Sequence, residues 1–133
     1  MSHPSATPLR LLVTGASGRM GRMLVKAITE HPETRLVAAL DAANSPFLGQ
    51  DAGVLAGTGA LDVLVSPDFP DPSVAVDAMI DFTVPVASRA YAKLAAERHI
   101  AHIIGTTGLS ADDLAFIAEQ AGQTCIIRSG NMS

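Results

Sequence analysis

Three glycines recur at a spacing of three in the run Gly15-Ala16-Ser17-Gly18-Arg19-Met20-Gly21, directly after a short apolar stretch. The chemistry open to such a run is anion binding by the main chain. Glycine at 15 permits a tight turn, glycine at 18 lets a pyrophosphate approach the backbone, and glycine at 21 lets a following helix lie close to the preceding strand. Free N–H groups at that helix N-terminus, with the positive end of the helix dipole, hold a phosphate without a basic side chain. The G-x-x-G-x-x-G spacing departs from the G-x-G-x-x-G dinucleotide fingerprint, and a plain tight turn is the bland alternative. A second residue argues against that alternative. Asp41 closes another apolar run, residues 36–40, and stands twenty residues after Gly21. At that distance a carboxylate accepts hydrogen bonds from the adenosine ribose hydroxyls of a dinucleotide.

A carboxylate at this point also repels the extra phosphate of NADP unless a nearby arginine offsets it. The next residue is Ala42, and the nearest cation able to reach the adenosine side is Arg19 in the glycine run. NADH is therefore the favoured cofactor and NADPH the second. Two further segments, Asp81-Phe82-Thr83 and Gly105-Thr106-Thr107-Gly108, each follow a short apolar run. Ligands sit at such strand ends in open doubly wound sheets, and glycine beside threonine hydroxyls suits close contact with a nicotinamide ribose or carboxamide. The bland reading of each is a strand-end turn, with Asp81 holding its own loop.

Other chemistries find no matching pattern. His3, His31, His99 and His102 are scattered, and no Cys-His or His-Glu pair has the spacing of metal ligands. His102 reads as a packed strand residue. Tyr91-Ala92-Lys93 lacks the Tyr-x-x-x-Lys spacing that would put both side chains on one helix face, so Tyr91 reads as core. Cys125 is the only cysteine, lies in an apolar run and reads as core filling.

The elements that must position these residues follow from periodicity. Residues 9–14 (LRLLVT), 36–40, 61–65, 78–82, 101–104 and 124–128 read as six strands bounded by Gly, Pro, Asp or Thr. Met20, Met23, Leu24, Ala27 and Ile28 repeat at helical spacing up to His31, before Pro32, and predict one helix with that face on the sheet. Ala87, Ala90, Tyr91, Leu94 and Ala95 predict another. Ser110 and Asp113, with Leu109 and Leu114 as a staple, mark the start of a third that ends near Gly122. Residues 44–59 read as a Gly-rich loop with a short helical turn, and helices are expected in the remaining gaps. Strands alternating with helices imply right-handed crossovers and a doubly wound, Rossmann-like parallel sheet. Residues 1–8 read as a flexible leader and 9–133 as a single α/β domain.

Bulk properties agree with that domain and exclude some partners. The chain has 133 residues, enough for one core, and only five aromatic residues, so the core must come from Ala, Val, Leu and Ile. A formal charge of -4 with nine Lys plus Arg leaves no basic face for nucleic acid. The apolar runs are too short to span a bilayer and the N-terminus lacks the regions of a signal peptide, which points to a cytoplasmic protein.

Taken together, VTGASGRMG, the ALD that closes the second strand, LGQDAG followed by LAG, IDFT-x-P, IGTTG and the terminal GNMS resemble the bacterial dihydrodipicolinate reductases from about Leu9 to Ser133. GRMG and IGTTG in this order are far more specific than a glycine pattern. Members of that family reduce the cyclic product of the preceding synthase to tetrahydrodipicolinate with NADH or NADPH, on the route to diaminopimelate and lysine, and are typically homotetramers. The resemblance implies that Gly15 to Met20 hold the pyrophosphate, Asp41 the adenosine ribose, and Gly105, Thr106 and Thr107 the nicotinamide side. By the same resemblance Phe82 and Thr83 lie beside the nicotinamide ring, and Ser129, Gly130, Asn131 and Met132 complete the pocket. Where some members carry an arginine after the strand-two acid, this chain has Ala42. The family's histidine pair, catalytic lysine and substrate-carboxylate donors belong to a second domain expected after Ser133, so the 133 residues alone are expected to bind cofactor without catalysis. Two rivals come from other classes: a redox-sensing or regulatory module that binds a dinucleotide without chemistry, and a CoA-binding subunit domain.

Overall fold

The computed structural model describes residues 8–82, 85–105 and 126–128. Most of the expected leader, Thr83, Thr106, Thr107, the helix expected from Ser110 to Gly122, Cys125 and the segment Ser129 to Met132 lie outside them.

The elements are β1 (Leu9–Thr14), α1 (Arg19–Glu30), β2 (Thr34–Leu40), α2 (Ala52–Ala56), β3 (Val65–Ser66), β4 (Ala78–Asp81), α3 (Pro85–Arg98), β5 (Ala101–Ile104) and β6 (Ile126–Arg128). The strands form one sheet in the order β3-β2-β1-β4-β5-β6, and each neighbouring pair is parallel. That is the doubly wound architecture expected from the sequence. The chain winds outward through β2 and β3, then returns to place β4 on the other side of β1. The C-terminal ends of β1 and β4 therefore flank the point where the winding reverses, the place where ligands bind in such sheets.

Both sheet faces are covered, which is why the strands are apolar almost throughout. On one face Leu11, Val13, Leu36 and Ala39 pack under Val25 and Ile28 of α1 and Ala52 of α2. On the other, Leu12, Ala38, Leu40 and Met79 pack under Ala95 of α3 and Ile100. Side chains alternate in direction along a strand, so Leu12 and Thr14 share the α3 face while Leu11 and Val13 share the α1 face. Among the described residues, no helix is long and apolar enough to cross a membrane.

Several expectations need correction. The buried residues of α1 are Gly21, Val25 and Ile28, whereas Met20, Met23 and Ala27 are exposed. The cause is Gly21: its missing side chain brings that line of the helix nearest the loop below, and the two methionines are carried to the flanks. In α3 the buried line is Ser88, Ala92, Ala95 and Ala96, small residues that permit close approach, and Ala90 faces solvent. The third strand, expected over 61–65, is only Val65–Ser66. Asp62 adopts a left-handed φ of 64°, so the backbone is not extended there. Between β3 and β4 there is no helix; Pro67, Pro70 and Pro72 supply no amide donors to one.

The residue that shapes this region is Asp51. Its carboxylate caps α2 by accepting from the N–H groups of Gly53 and Val54, and it also accepts from those of Leu61 and Asp62. These donors, that of Leu61 first, hold its pKa below the ordinary 3.8, partly offset by desolvation. At the far end of the sheet the Arg10 guanidinium and backbone likewise lower the pKa of Asp77. A depressed folded pKa contributes stability above the unfolded value that is lost as pH falls through the folded one. Urea midpoints are therefore expected to hold down to about pH 3.8 and then drop, less steeply in Asp51→Asn. Asp51→Ala is expected to cost about 1 kcal/mol at neutral pH through the lost cap.

Candidate functional site

β1 ends at Thr14, and the chain turns at once. Gly15 has φ 68°, a conformation costly for other residues, and the Gly18 amide donates to the Gly15 carbonyl at 3.1 Å. The amide of Ala16 donates to Leu40 O at 3.0 Å, pinning the turn to the end of β2, and Ala16 itself is buried. α1 then starts with Gly18 as its N-cap, with no side-chain cap and no acidic residue in its first turn. An uncapped twelve-residue helix with no carboxylate in its opening turn leaves amide donors and positive dipole for an anion.

Gly21 is the closest point of the assembly. A Cβ built there would lie 2.1 Å from the Gly15 carbonyl oxygen and 2.7 Å from Ala16 Cα, both backbone atoms. Helix and turn can meet in this way only with glycine at 21. At Gly18 a Cβ would meet only the Gly15 oxygen, at 3.4 Å, so the outer side of that residue is open.

The structure brings Asp41 to this turn. Its Oδ2 accepts from the Ser17 amide at 3.0 Å and from the Ser17 hydroxyl, and its Oδ1 from the Ala42 amide at 2.8 Å. Ser17 is held from behind as well, because Arg22 Nε donates to its carbonyl at 2.8 Å. The Arg22 guanidinium in turn lies 4.8 Å from the centroid of the Phe47 ring. The segment after Asp41 is thereby folded against the glycine turn, and Ser45 Oγ lies 3.4 Å from Ser17 Oγ. Arg19 is exposed and lines a groove between α1 and α2 with Arg22 and Lys26; Met20 is half exposed.

At the ends of β4 and β5 two more of the expected residues meet. The Gly105 amide donates to Asp81 O at 2.7 Å, and a Cβ at Gly105 would lie 2.1 Å from Phe82 Cε1. Glycine at 105 is what lets the Phe82 ring lie flush against the β5 turn.

Three residues beside these turns were not singled out as a group by sequence. Thr14, Asp81 and His102 are each completely buried. Thr14 Oγ1 donates to Asp81 Oδ1 at 3.0 Å, and His102 Nε2 lies 2.9 Å from Asp81 Oδ2. Their signal in the sequence was three polar residues in otherwise apolar strands. Tyr91 packs at the edge of the α3-side core, as expected; burial first, then the negative charges of Asp81 and Asp41, raise its pKa. Among the described residues no group of His, Cys, Asp or Glu could hold a metal ion.

Residues 9–132 match the family model described as dihydrodipicolinate reductase, N-terminus. A 4-hydroxy-tetrahydrodipicolinate reductase of Sinorhizobium medicae (strain WSM419) is 48% identical over 129 residues, 97% of this chain and 47% of that protein. The chain thus spans about half the length of the curated relatives it matches. A dipicolinate-bound dihydrodipicolinate reductase from Paenisporosarcina sp. TG-14 has the same fold, with TM-score 0.72 and 21% identity over 94% of this chain and 48% of that one. An oxidoreductase from Agrobacterium radiobacter, solved with NAD+, L-tartaric acid and magnesium, also superposes with TM-score 0.72, at 15% identity over 95% of this chain and 36% of that one. With the glycine turn, the strand-two acid and the strand order all in place, this chain belongs to the dihydrodipicolinate reductase N-terminal family.

Proposed function

We propose that this chain is the cofactor-binding part of a 4-hydroxy-tetrahydrodipicolinate reductase, and that it takes NADH in preference to NADPH. The observation that carries the reading is the contact between Asp41 and Ser17: the acid of strand two lies one hydrogen bond from the glycine turn, at the reversal of the sheet. A dinucleotide needs both features at that separation, one for its pyrophosphate and one for its adenosine ribose.

The chain's own residues fit the group. The pyrophosphate lies against the turn from Gly15 to Gly21: Ala16, Ser17 and Gly18, whose amides are engaged in holding the turn, shape its seat, and the main-chain donors of Arg19 and Met20 at the N-terminus of α1 bind it. Asp41 accepts from the ribose hydroxyls, while its charge, with Ala42 beside it, opposes a 2′-phosphate. Phe82, Thr83, Gly105, Thr106 and Thr107 form the nicotinamide side, which Ser129, Gly130, Asn131 and Met132 complete. The nicotinamide supplies the hydride. The proton donor and the groups that hold a cyclic dicarboxylate belong to the portion of the relatives that these residues do not cover. Tetramer assembly is placed there too, and the protein is cytosolic.

The test is a reductase assay on the full-length protein with the product of the preceding synthase, read as loss of reduced cofactor. The expected result is turnover with a lower KM for NADH than for NADPH, and a ratio that moves toward unity in Asp41→Asn. Turnover with neither cofactor would overturn the assignment. A further expected outcome concerns Gly105→Ala. Its methyl group must displace the Phe82 ring, and NADH affinity is expected to fall about tenfold, some 1.4 kcal/mol. Calorimetric titration of that variant checks it.

A further inference from the structure

Resting on the cofactor reading above, we infer that His102, acting through Asp81, is a positioning residue for the nicotinamide end of the site. The buried polar and charged side chains among the described residues are Thr14, Asp81, Ser88 and His102. Thr14, Asp81 and His102 lie on neighbouring strands and Ser88 in the α3 helix; elsewhere among the described residues the buried side chains are apolar. Thr14 is in register with Asp81, and His102 is in register with Met79, two residues before Asp81, so three adjacent strands contribute one side chain each to the same sheet face, His102 one same-face position below the other two.

The hydrogen bonds converge on Asp81 from both sides. With Asp81 ionised, its carboxylate accepts from His102 Nε2 through Oδ2 and from the Thr14 hydroxyl through Oδ1. That leaves a Thr14 lone pair for the Phe82 amide, which donates to it at 3.2 Å. The Asp81 main-chain carbonyl meanwhile takes the Gly105 amide at 2.7 Å. One residue thus holds both nicotinamide-side turns, Phe82 through Thr14 and Gly105 directly, and Thr14 is the residue before the Gly15 turn. His102 closes the network from the β5 side, and its Nδ1 is buried without a hydrogen-bond partner.

Stability alone gives no reason for this arrangement. Buried polar pairs can often be replaced by packed apolar residues without loss of stability, so a hydrogen-bonded pair retained at the ligand end of the sheet is explained by what it orients. Removing the His102 donor frees the Asp81 carboxylate to turn, and the Thr14 hydroxyl that holds the Phe82 amide loses its fixed orientation, while Gly105 stays on the Asp81 main chain. The adenosine half, held by the glycine turn and Asp41, is untouched.

The test is titration of the full chain and its variants with NADH and with ADP-ribose, which lacks the nicotinamide, after circular dichroism has shown each variant folded. His102→Leu is expected to weaken NADH about tenfold and ADP-ribose less than twofold, the loss of one charge-assisted orientation. His102→Gln, which keeps a donor near the Nε2 position, is expected to recover most of the NADH affinity. Should the leucine variant fail to fold, Thr14→Val removes the link to Phe82 at nearly constant shape and is expected to show the same selective loss. Equal weakening of both ligands, or none, overturns the inference and leaves the cofactor reading standing. No NADH binding by the unmodified folded chain overturns both.

Discussion

Gly21→Ala is expected to destabilise the fold by about 3 kcal/mol and to abolish measurable NADH binding, the first because overpacking against rigid neighbours typically costs about 1–3 kcal/mol and here the neighbours are backbone. The added carbon would stand 2.1 Å from Gly15 O and 2.7 Å from Ala16 Cα, so α1 must lift off the turn. Lifting it moves the helix N-terminus away from the proposed pyrophosphate site, which couples the stability loss to the binding loss. A thermal midpoint lowered by roughly 10 °C is the expected size for a domain of this length. Gly57→Ala is the control. That glycine has a positive φ, 82°, and open space around it, so roughly 1 kcal/mol of strain and unchanged cofactor binding are expected. Circular-dichroism melts and calorimetric titration of the two variants separate the cases. A Gly21→Ala protein that melts and binds normally would contradict the packing described for α1.

Asp81→Ala is expected to be the most damaging single change in the sheet, at about 3–5 kcal/mol, the range for removing one partner of a buried pair. His102 and the Thr14 hydroxyl would be left facing a void at zero exposure. Pairing the change with His102→Leu is expected to be less harmful than the sum of the two, because the second substitution removes the group that the first strands. Denaturant melts of the two single variants and the double one give the coupling directly. Strict additivity would mean that Asp81 and His102 do not act as a pair.

How much of this was legible in the sequence follows from the range of each interaction. The glycine turn and Asp41 were readable because their requirements are local or tied to one strand-helix-strand spacing: a left-handed φ at Gly15, a close approach at Gly21, an acid where β2 ends. The parallel, doubly wound class of the sheet was readable from alternation and crossover handedness. The buried face of α1 was not, because hydropathy ranks Met20 and Met23 above Gly21, whereas contact is decided by which side of the helix can come nearest. The third strand was misplaced because Asp51 draws the backbone at Leu61 and Asp62 to itself, ten and eleven residues away. Asp81 and His102 could be assigned no joint role from sequence, since they are 21 positions apart and Thr14 is a further 67 from Asp81. Only the pairing of β1, β4 and β5 makes them neighbours.

The central claim, that a nicotinamide dinucleotide lies across the Gly15 turn with its adenosine ribose on Asp41, is tested most directly by calorimetric titration of the chain and of Asp41→Ala with NADH. One saturable site in the unmodified chain, weakened at least tenfold in the variant by loss of a hydrogen bond to a charged acceptor, is the predicted result. A folded chain that gives no binding heat, or an Asp41→Ala protein that binds NADH unchanged, would contradict it.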